Sequence, residues 1–595
     1  MTELPRFARF AAPAGRAAWS GVFARPRTVR LAGRLEEVPT LLRAAEAEAH
    51  RGRWVVLLLA YEAAPAFDQA LAVRTGSTTF PLACAAVFDR PQGLSEPGHA
   101  AAGVAAPAWR ARLGPAAYAA AVQRIRRYIR AGDIYQANFT FPFTGRFRGD
   151  AQAWFQQVAQ SQPQALHAYI ELGRWRILSF SPELFFERRG HRLMVRPMKG
   201  TAARGRWAEE DRRQALALQL SEKERAENVM IVDLLRSDLG RIARPGSVRV
   251  RRLFSVEAHP TLWQMTSTIT ARLSARASLH ECLAALFPCG SVTGAPKVRA
   301  TQILAALEPS PRGLYTGAIG LIRPGGDCTF SVAIRTAVVD ARTGRAVYGV
   351  GSAITYDSIP AAEYAECHLK AALFAAAPAA GKWHLFETLR LADGRFSLWP
   401  EHRRRLRASC RYFGFPWHAG AVASALARLR RQYPRGQWRV RLAVHRDGTP
   451  QAAASAFPAP PAGLWRLGWA PAPVDASDPW LYHKTSRRDA YDRARAAAPG
   501  CDDVLLWNRN GELTESTIAN LVLDLPEGRF TPPLASGLLP GTLRARLLAQ
   551  GHIRERALRV RDLRRARAIF LINALRGWMP AAAPDRPPPA RARAR

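Results

Sequence analysis

Short apolar runs alternate with longer amphipathic stretches along the chain, and the two periods divide it into strands and helices. Trp54–Tyr61 (WVVLLLAY) is apolar throughout and has the length of a buried strand. Leu193–Arg196 and Phe330–Arg335 also read as strands, whereas Ala116–Ala131 places its apolar residues at helical spacing. The pattern changes after a small-residue stretch, Ala375–Gly381. Beyond it Val504–Trp507 and Asn520–Leu523 read as strands, and Asn510-Gly511, between Arg509 and Glu512, as a two-residue hairpin turn. From Ala581 the residues are Pro, Ala and Arg apart from Asp585, a composition expected to be disordered. The pattern predicts strands and helices in both halves without internal repeats: a first domain over 1–376, a linker over 377–381, a second domain over 382–580 and a tail over 581–595.

Composition narrows the class. A chain of 595 residues, 48% hydrophobic and 22% charged, is globular and too long for one core. No apolar run approaches the ~20 residues that span a bilayer. Met1–Pro5 lacks the basic-then-apolar order of a secretory signal, so a cytoplasmic location without membrane contact is expected. The seven cysteines (84, 282, 289, 328, 367, 410, 501) never form C-x-x-C and are expected as reduced thiols. A formal charge of +39 invites a nucleic-acid partner. The arginines, however, are spread over the whole length with no zinc finger, helix-turn-helix or basic-aromatic cassette, so none is expected.

Six lysines stand against eighty arginines, and three of the six lie in distinctive contexts: Lys199 in Pro-Met-Lys-Gly-Thr, Lys297 in Gly-Ala-Pro-Lys and Lys484 in Tyr-His-Lys-Thr. Arginine stays protonated, whereas a desolvated lysine can become a nucleophile or a Schiff-base partner. Glu224 and Glu227 share one helical face, and Glu363 and Glu366 repeat that spacing with Lys370 one turn later. On spacing alone such pairs more often form a solvated face. Converging, they would give an all-oxygen site suited to Mg²⁺.

Gly132-Asp-Ile-Tyr-Gln-Ala-Asn138, Ser181-Pro-Glu183, the Lys199 motif, Asp233-Leu-Leu-Arg-Ser-Asp-Leu-Gly240, Gly290-Ser-Val-Thr-Gly-Ala-Pro-Lys297 and Phe330–Arg335 occur in that order. The set resembles the chorismate-utilising enzymes, most closely the aminodeoxychorismate synthase component I group, over nearly all of residues 1–376. The resemblance implies a fold of large antiparallel sheets around the site. It implies Mg²⁺ bridging Glu227 and Glu366 to a substrate carboxylate, with Glu224 and Glu363 assisting through water. Relatives that make anthranilate carry alanine where Lys199 stands. Lys199 is accordingly expected to attack chorismate at C2 as the C4 hydroxyl leaves, after which ammonia adds at C4 and expels the lysine. Glu183 matches the general acid for that hydroxyl. Arg335 and Tyr315 match substrate contacts, and Thr293, Lys297 and Lys370 complete the expected substrate-binding set. Gly349 and Gly351 would let backbone N–H groups approach the substrate, or form an ordinary turn. Gln264 stands where many relatives have histidine, and Ser237 where they have Asn.

In the second half Phe386-Glu-Thr-Leu-Arg390, His402-Arg-Arg-Arg-Leu406, Lys484, Gly511–Asn520 and Gly537–Arg544 follow one another. A lysine, an acid for a pyridine nitrogen and an arginine with backbone N–H groups for phosphate are what pyridoxal 5'-phosphate requires. The series resembles the fold-type IV pyridoxal phosphate enzymes, which include branched-chain aminotransferases and aminodeoxychorismate lyase. The resemblance makes Lys484 the Schiff-base lysine, pairs Glu515 with the pyridinium, and gives the phosphate to Arg405 and the backbone of Thr542 and Leu543, with Asn573 nearby. It implies a two-subdomain α+β domain of a kind commonly completed at a homodimer interface.

Together the halves predict a bifunctional enzyme that aminates chorismate and then eliminates pyruvate to give 4-aminobenzoate, a folate precursor. Neither half carries a Cys-His-Glu amidotransferase segment, so ammonia is expected from solution or from a separate glutamine amidotransferase subunit. The alternatives are an anthranilate- or salicylate-type chorismate enzyme fused to an aminotransferase, which Lys199 disfavours in its anthranilate form, and a nucleic-acid-binding protein on a retired scaffold. Lys199, Glu227, Glu366 and Lys484 disfavour the second, since a retired site has no reason to keep them.

Overall fold

The computed structural model describes residues 7–12, 17–76, 80–92, 104–259, 262–274, 277–374, 383–459, 461 and 463–584. The expected linker at 377–381 lies outside them, as does the tail from residue 585. Ala581 and Ala582, which composition assigned to that tail, instead end the strand Gly577–Ala582, paired to Ala568–Asn573. Contacts group the chain into two units: Met1–Ala203 with Ala215–Ala380, and Arg204–Gln214 with Gly381–Arg595. Arg204–Gln214, interior to the first half by sequence, thus belongs with the second.

The first unit is built on two antiparallel sheets of nine and ten strands. Trp54–Leu59 shows why its sequence is apolar without alternation. Val55, Leu57 and Leu59 face a cluster completed by the helices Glu37–His50, Glu222–Gly240 and Leu279–Leu286, while Val56 and Leu58 face one shared with Phe10 and Phe23 of the other sheet. A strand covered on both faces has no polar side to alternate with. The helices Pro115–Arg130, Ala151–Ala159, Lys297–Leu307 and Pro360–Ala371 cover the nine-stranded sheet around Phe139, Phe141 and Tyr348.

In the second unit a four-stranded antiparallel sheet packs its Leu385, Leu389, Val440 and Leu442 against the helices Trp399–Phe413 and Ala419–Gln432. The eight-stranded sheet contains parallel pairings, and Leu513–Ser516 bonds both Asp503–Trp507 and Asn520–Leu525, closing six strands into a ring that leaves them no free edge. The hairpin at Asn510-Gly511 encloses three residues rather than two. Asn508 N donates to Glu512 O at 2.9 Å, and only Gly511 adopts positive φ (76°) within that loop. The Asn508 side chain accounts for the extra residue, its Oδ1 accepting from the amides of Asn510 (2.9 Å) and Glu512 (3.0 Å). All seven cysteines are free thiols. Among the described residues no helix is long and apolar enough to cross a membrane.

Candidate active sites

Lys199 lies on the strand Met198–Ala203, where the register with Leu262–Arg272 shifts between Met198 and Thr201. Such a bulge re-aims a side chain. Gly200 takes φ +89°, and a Cβ there would stand 3.0 Å from Glu224 Oε2 and 3.2 Å from Met265 Cβ. Glycine therefore lets the helix Glu222–Gly240 close onto the strand, bringing Glu224 and Glu227 to Lys199. That helix starts at Ser221, whose side chain accepts from the Glu224 amide. Gln264 holds the bulge, donating from Nε2 to Gly200 O at 2.8 Å, which is what the residue in place of histidine does here.

Burial lowers the pKa of Lys199, opposed by Glu227 and Glu183, and thereby favours the neutral amine that attack requires. Glu183, only 3% exposed, accepts a 2.7 Å bond from Ser291 Oγ; burial raises its pKa to about 7. A carboxyl group still protonated near neutral pH beside a lysine is a competent acid for a leaving hydroxyl.

The helix Pro360–Ala371 supplies the second acid pair. Glu366 forms an ion pair with Lys370 at 2.8 Å, and Lys370 Nζ also donates to Gly351 O at 2.9 Å. Glu363 accepts from Ser352 Oγ (2.5 Å) and Ser358 Oγ (2.8 Å). Burial raises Glu224 and Glu227; Glu227 and Glu366 raise Glu224 further, while at Glu227 the attraction of Lys199 and Lys223 exceeds the repulsion from Glu363 and Glu366. Among the described residues no three acidic, His or Cys side chains form a ready-made metal cage. Glu227 nonetheless lies within electrostatic reach of Glu224, Glu363 and Glu366, and an all-oxygen donor set of this kind fits a hard cation such as Mg²⁺.

Tyr315 and Arg335 are each half-buried. Arg335 has positive φ (50°), donates to Gln162 Oε1 at 3.4 Å and has no acidic partner among the described residues; burial lowers its pKa. An enclosed guanidinium in that state suits a carboxylate ligand. A Cβ on Gly349 would fall 2.2 Å from Tyr315 Cγ, so this glycine makes room for a protein ring. At Gly351 the neighbour is Phe139 O, 2.7 Å from a Cβ. Thr293 is fully buried, with Oγ1 donating to Cys289 O at 3.1 Å. Lys297 Nζ pairs with Asp238 at 2.7 Å and donates to Leu286 O at 3.3 Å, tying two motifs together.

In the second unit a cavity of about 280 Å³ collects Lys484, Glu515, Arg405, Thr542 and Asn573. Burial, then Arg405, lowers Lys484 to a pKa of about 8, and burial raises Glu515 to about 7. Glu515 accepts from Tyr491 OH (2.7 Å), the Leu539 amide (3.0 Å) and Asn520 Nδ2 (3.1 Å), so its carboxylate is fixed in direction. Thr542 opens the helix Thr542–Ala549, whereas the Leu543 side chain packs with Val522 and Leu547, leaving its backbone as its possible contribution. Asn573 Oδ1 caps the following turn, accepting from the amides of Leu575 (3.1 Å) and Arg576 (2.8 Å). Arg405 lines the cavity with its fork closed on Glu387, at 2.9 and 2.5 Å. Burial would raise Glu387, but Arg405 and His402 hold it at about 2. This buried triad was not singled out from sequence, although Glu387 lies in the quoted Phe386–Arg390 motif. Arg439, Arg441, Arg488 and Arg576 line the same cavity without acidic partners among the described residues. Two of them sit two apart on the strand Gln437–Val444, where alternation puts them on one face.

A model of chorismate binding enzymes matches residues 18–376, and one of class IV amino-transferases matches residues 384–583. Aminodeoxychorismate synthase component 1 of Klebsiella aerogenes is 43% identical over 259 residues, 44% of this chain and 57% of that protein. Anthranilate synthase component 1 of Streptomyces coelicolor is 36% identical over 323 residues, 53% of this chain and 62% of that protein. The chain thus spans less than two thirds of either relative. The crystal structure of anthranilate synthase component I from Streptococcus pneumoniae shares the fold of the first unit, with a TM-score of 0.52 and 23% identity over 63% of this chain and 91% of that one.

Proposed function

Because the chain belongs to the chorismate binding enzyme family, we propose that its first unit aminates chorismate to 4-amino-4-deoxychorismate and its second unit eliminates pyruvate from that product, giving 4-aminobenzoate. The observation that carries the reading is Lys199, a shielded amine of lowered pKa beside the protonatable Glu183. Lys199 Nζ attacks C2 while Glu183 gives its proton to the departing C4 hydroxyl, which leaves as water. Ammonia then bonds at C4 and the C2–lysine bond breaks. Arg335 and Tyr315 orient the substrate. Glu227 and Glu366, with Glu224 and Glu363 behind them, would hold Mg²⁺, which supplies charge for a substrate carboxylate.

In the second unit Lys484 would hold pyridoxal 5'-phosphate, with Glu515 at its ring nitrogen and Thr542, Leu543 and Arg405 at its phosphate; the cofactor supplies an electron sink. Lys484, poised near neutral pH, moves a proton from the ring carbon to the departing enolpyruvyl group. The arginine rim supports a substrate with two carboxylates, as aminodeoxychorismate has, over a monoanionic amino acid. Ammonia comes from solution or a separate glutamine amidotransferase subunit, the location is cytoplasmic, and a homodimer through the second unit is part of the reading. Purified protein given chorismate, Mg²⁺ and ammonium should release 4-aminobenzoate. Anthranilate or salicylate as the sole aromatic product would overturn the assignment.

A further inference from the structure

Arg204–Gln214 follows directly on the strand of Lys199, yet its contacts are those of the second unit. The segment folds back on itself and is bonded across the fold. A Cβ on Gly205 would lie 2.0 Å from the Asp211 amide nitrogen, so only glycine lets the chain fold back there. Asp211 accepts from Arg204 Nε and Nη2, both at 2.7 Å, and from the Gly205 amide at 2.9 Å. The Arg204 guanidinium then rests 4.4 Å from the Tyr412 ring centre and donates to Tyr412 O at 3.2 Å. Arg206, clamped by Glu210 at 2.8 Å, donates from Nη1 to Tyr482 OH at 3.3 Å and to Ala476 O at 3.1 Å. The Trp207 ring lies 5.2 Å from that of Tyr482, tilted by 30°.

These contacts converge on the two residues before Lys484. Tyr482 is 1% exposed and donates from its own hydroxyl to Ala476 O at 2.7 Å. His483 packs 4.3 Å from Tyr412, bonds Ser409 Oγ through Nδ1 at 2.9 Å, and is held neutral by burial, its pKa lowered to about 3. Lys484 itself makes one main-chain bond, its carbonyl accepting from the Phe386 amide at 3.0 Å. Beyond Lys484, Thr485 bridges Leu385 and the Ser486 amide donates to His384 O at 2.9 Å, so Tyr482 and His483 form the other anchor of the backbone that directs its side chain, and one side of that anchor comes from Arg206 and Trp207.

We propose that Arg206 and Trp207 are positioning residues of the second active site: by fixing Tyr482 they hold the Tyr482–His483–Lys484 backbone so that Lys484 Nζ stays enclosed among Arg405, Glu387, Arg488 and Glu515. The proposal rests on Lys484 being the reactive lysine of the pyruvate-eliminating unit. It makes that unit dependent on a segment encoded inside the other half of the gene product.

The test measures the pH dependence with which trinitrobenzenesulfonate labels Lys484 in full-length, cofactor-free protein, by peptide mass. Pyridoxal 5'-phosphate bound to the same preparations is titrated by its visible band. In wild-type protein the labelling midpoint should lie near pH 8, where burial and Arg405 put it. In Trp207→Ala it should rise by about one pH unit, a tenfold loss of neutral amine near neutral pH, as the lysine reaches solvent. Trp207→Phe keeps an aromatic face and should bring the midpoint most of the way back to the wild-type value, and Arg206→Gln should fall between. A wild-type midpoint in both Trp207→Ala and Arg206→Gln would overturn the positioning role. Wild-type protein that takes up no pyridoxal phosphate would instead overturn the reading of the site on which it rests.

Discussion

Ser291 donates its hydroxyl proton to Glu183 across 2.7 Å, and this bond favours the carboxylate in a pocket whose burial favours the acid. Burial prevails, at a pKa of about 7. The chorismate step should therefore slow as pH rises through about 7, where Glu183 loses the proton it donates. Ser291→Ala removes an interaction with the charged form, so its alkaline limb should move to higher pH, read from kcat/KM profiles. The stability consequence has a definite sign. The folded state binds the Glu183 proton more tightly than the unfolded chain, so this group's contribution falls as pH rises from about 4.5 to about 7 and is lost above it.

The acid pairs predict a cation-dependent stability. Glu227→Gln removes a charge that burial disfavours by more than Lys199 and Lys223 favour it, with Glu363 and Glu366 adding repulsion, so without metal the variant should melt at or above the wild-type temperature. With Mg²⁺ at a hundred times its dissociation constant, wild-type protein should gain about 2.7 kcal/mol, and Glu227→Gln little. Equal Mg²⁺ shifts in both would return these acids to the role of a solvated helix face. EDTA should silence the chorismate step and spare elimination from supplied aminodeoxychorismate.

Gly349→Ala places a methyl group 2.2 Å from Tyr315 Cγ. Overpacking of this kind destabilises by about 1–3 kcal/mol, and the displaced ring should raise KM for chorismate. Unchanged denaturant midpoint and KM would show that the strand and ring separate freely.

How much of this was legible depends on the range of the interaction. The apolar run of Trp54–Leu59, the helix bearing Glu224 and Glu227, and the lysine motifs are local, and the sequence announces them. The three-residue hairpin was missed by one residue because the bonds from Asn508 outweigh the Asn-Gly preference. The motif of Lys297 is distinctive, whereas its ion pair with Asp238 joins it to another motif, a pairing no spacing reveals. Gly349 has the same character: its collision partner is 34 positions upstream. The embrace of Tyr482 by Arg206 spans 276 residues and leaves no periodic trace.

Lys484→Arg keeps a cation but removes the amine that can bond the cofactor. Wild-type protein should be yellow, and borohydride should fix the label at Lys484. The variant should accumulate aminodeoxychorismate from chorismate and ammonium and form almost no 4-aminobenzoate. Full 4-aminobenzoate output from it would remove the second half of the proposed function while leaving the first.

The most direct measurement is product analysis of Lys199→Ala beside the wild type, with chorismate, Mg²⁺ and ammonium in one set of reactions and aminodeoxychorismate alone in the other. The variant should make no 4-aminobenzoate from chorismate, with weak anthranilate formation where ammonia reaches C2 directly, and should still convert supplied aminodeoxychorismate. Undiminished 4-aminobenzoate synthesis from chorismate by Lys199→Ala would contradict the role of the lysine at the centre of the first unit.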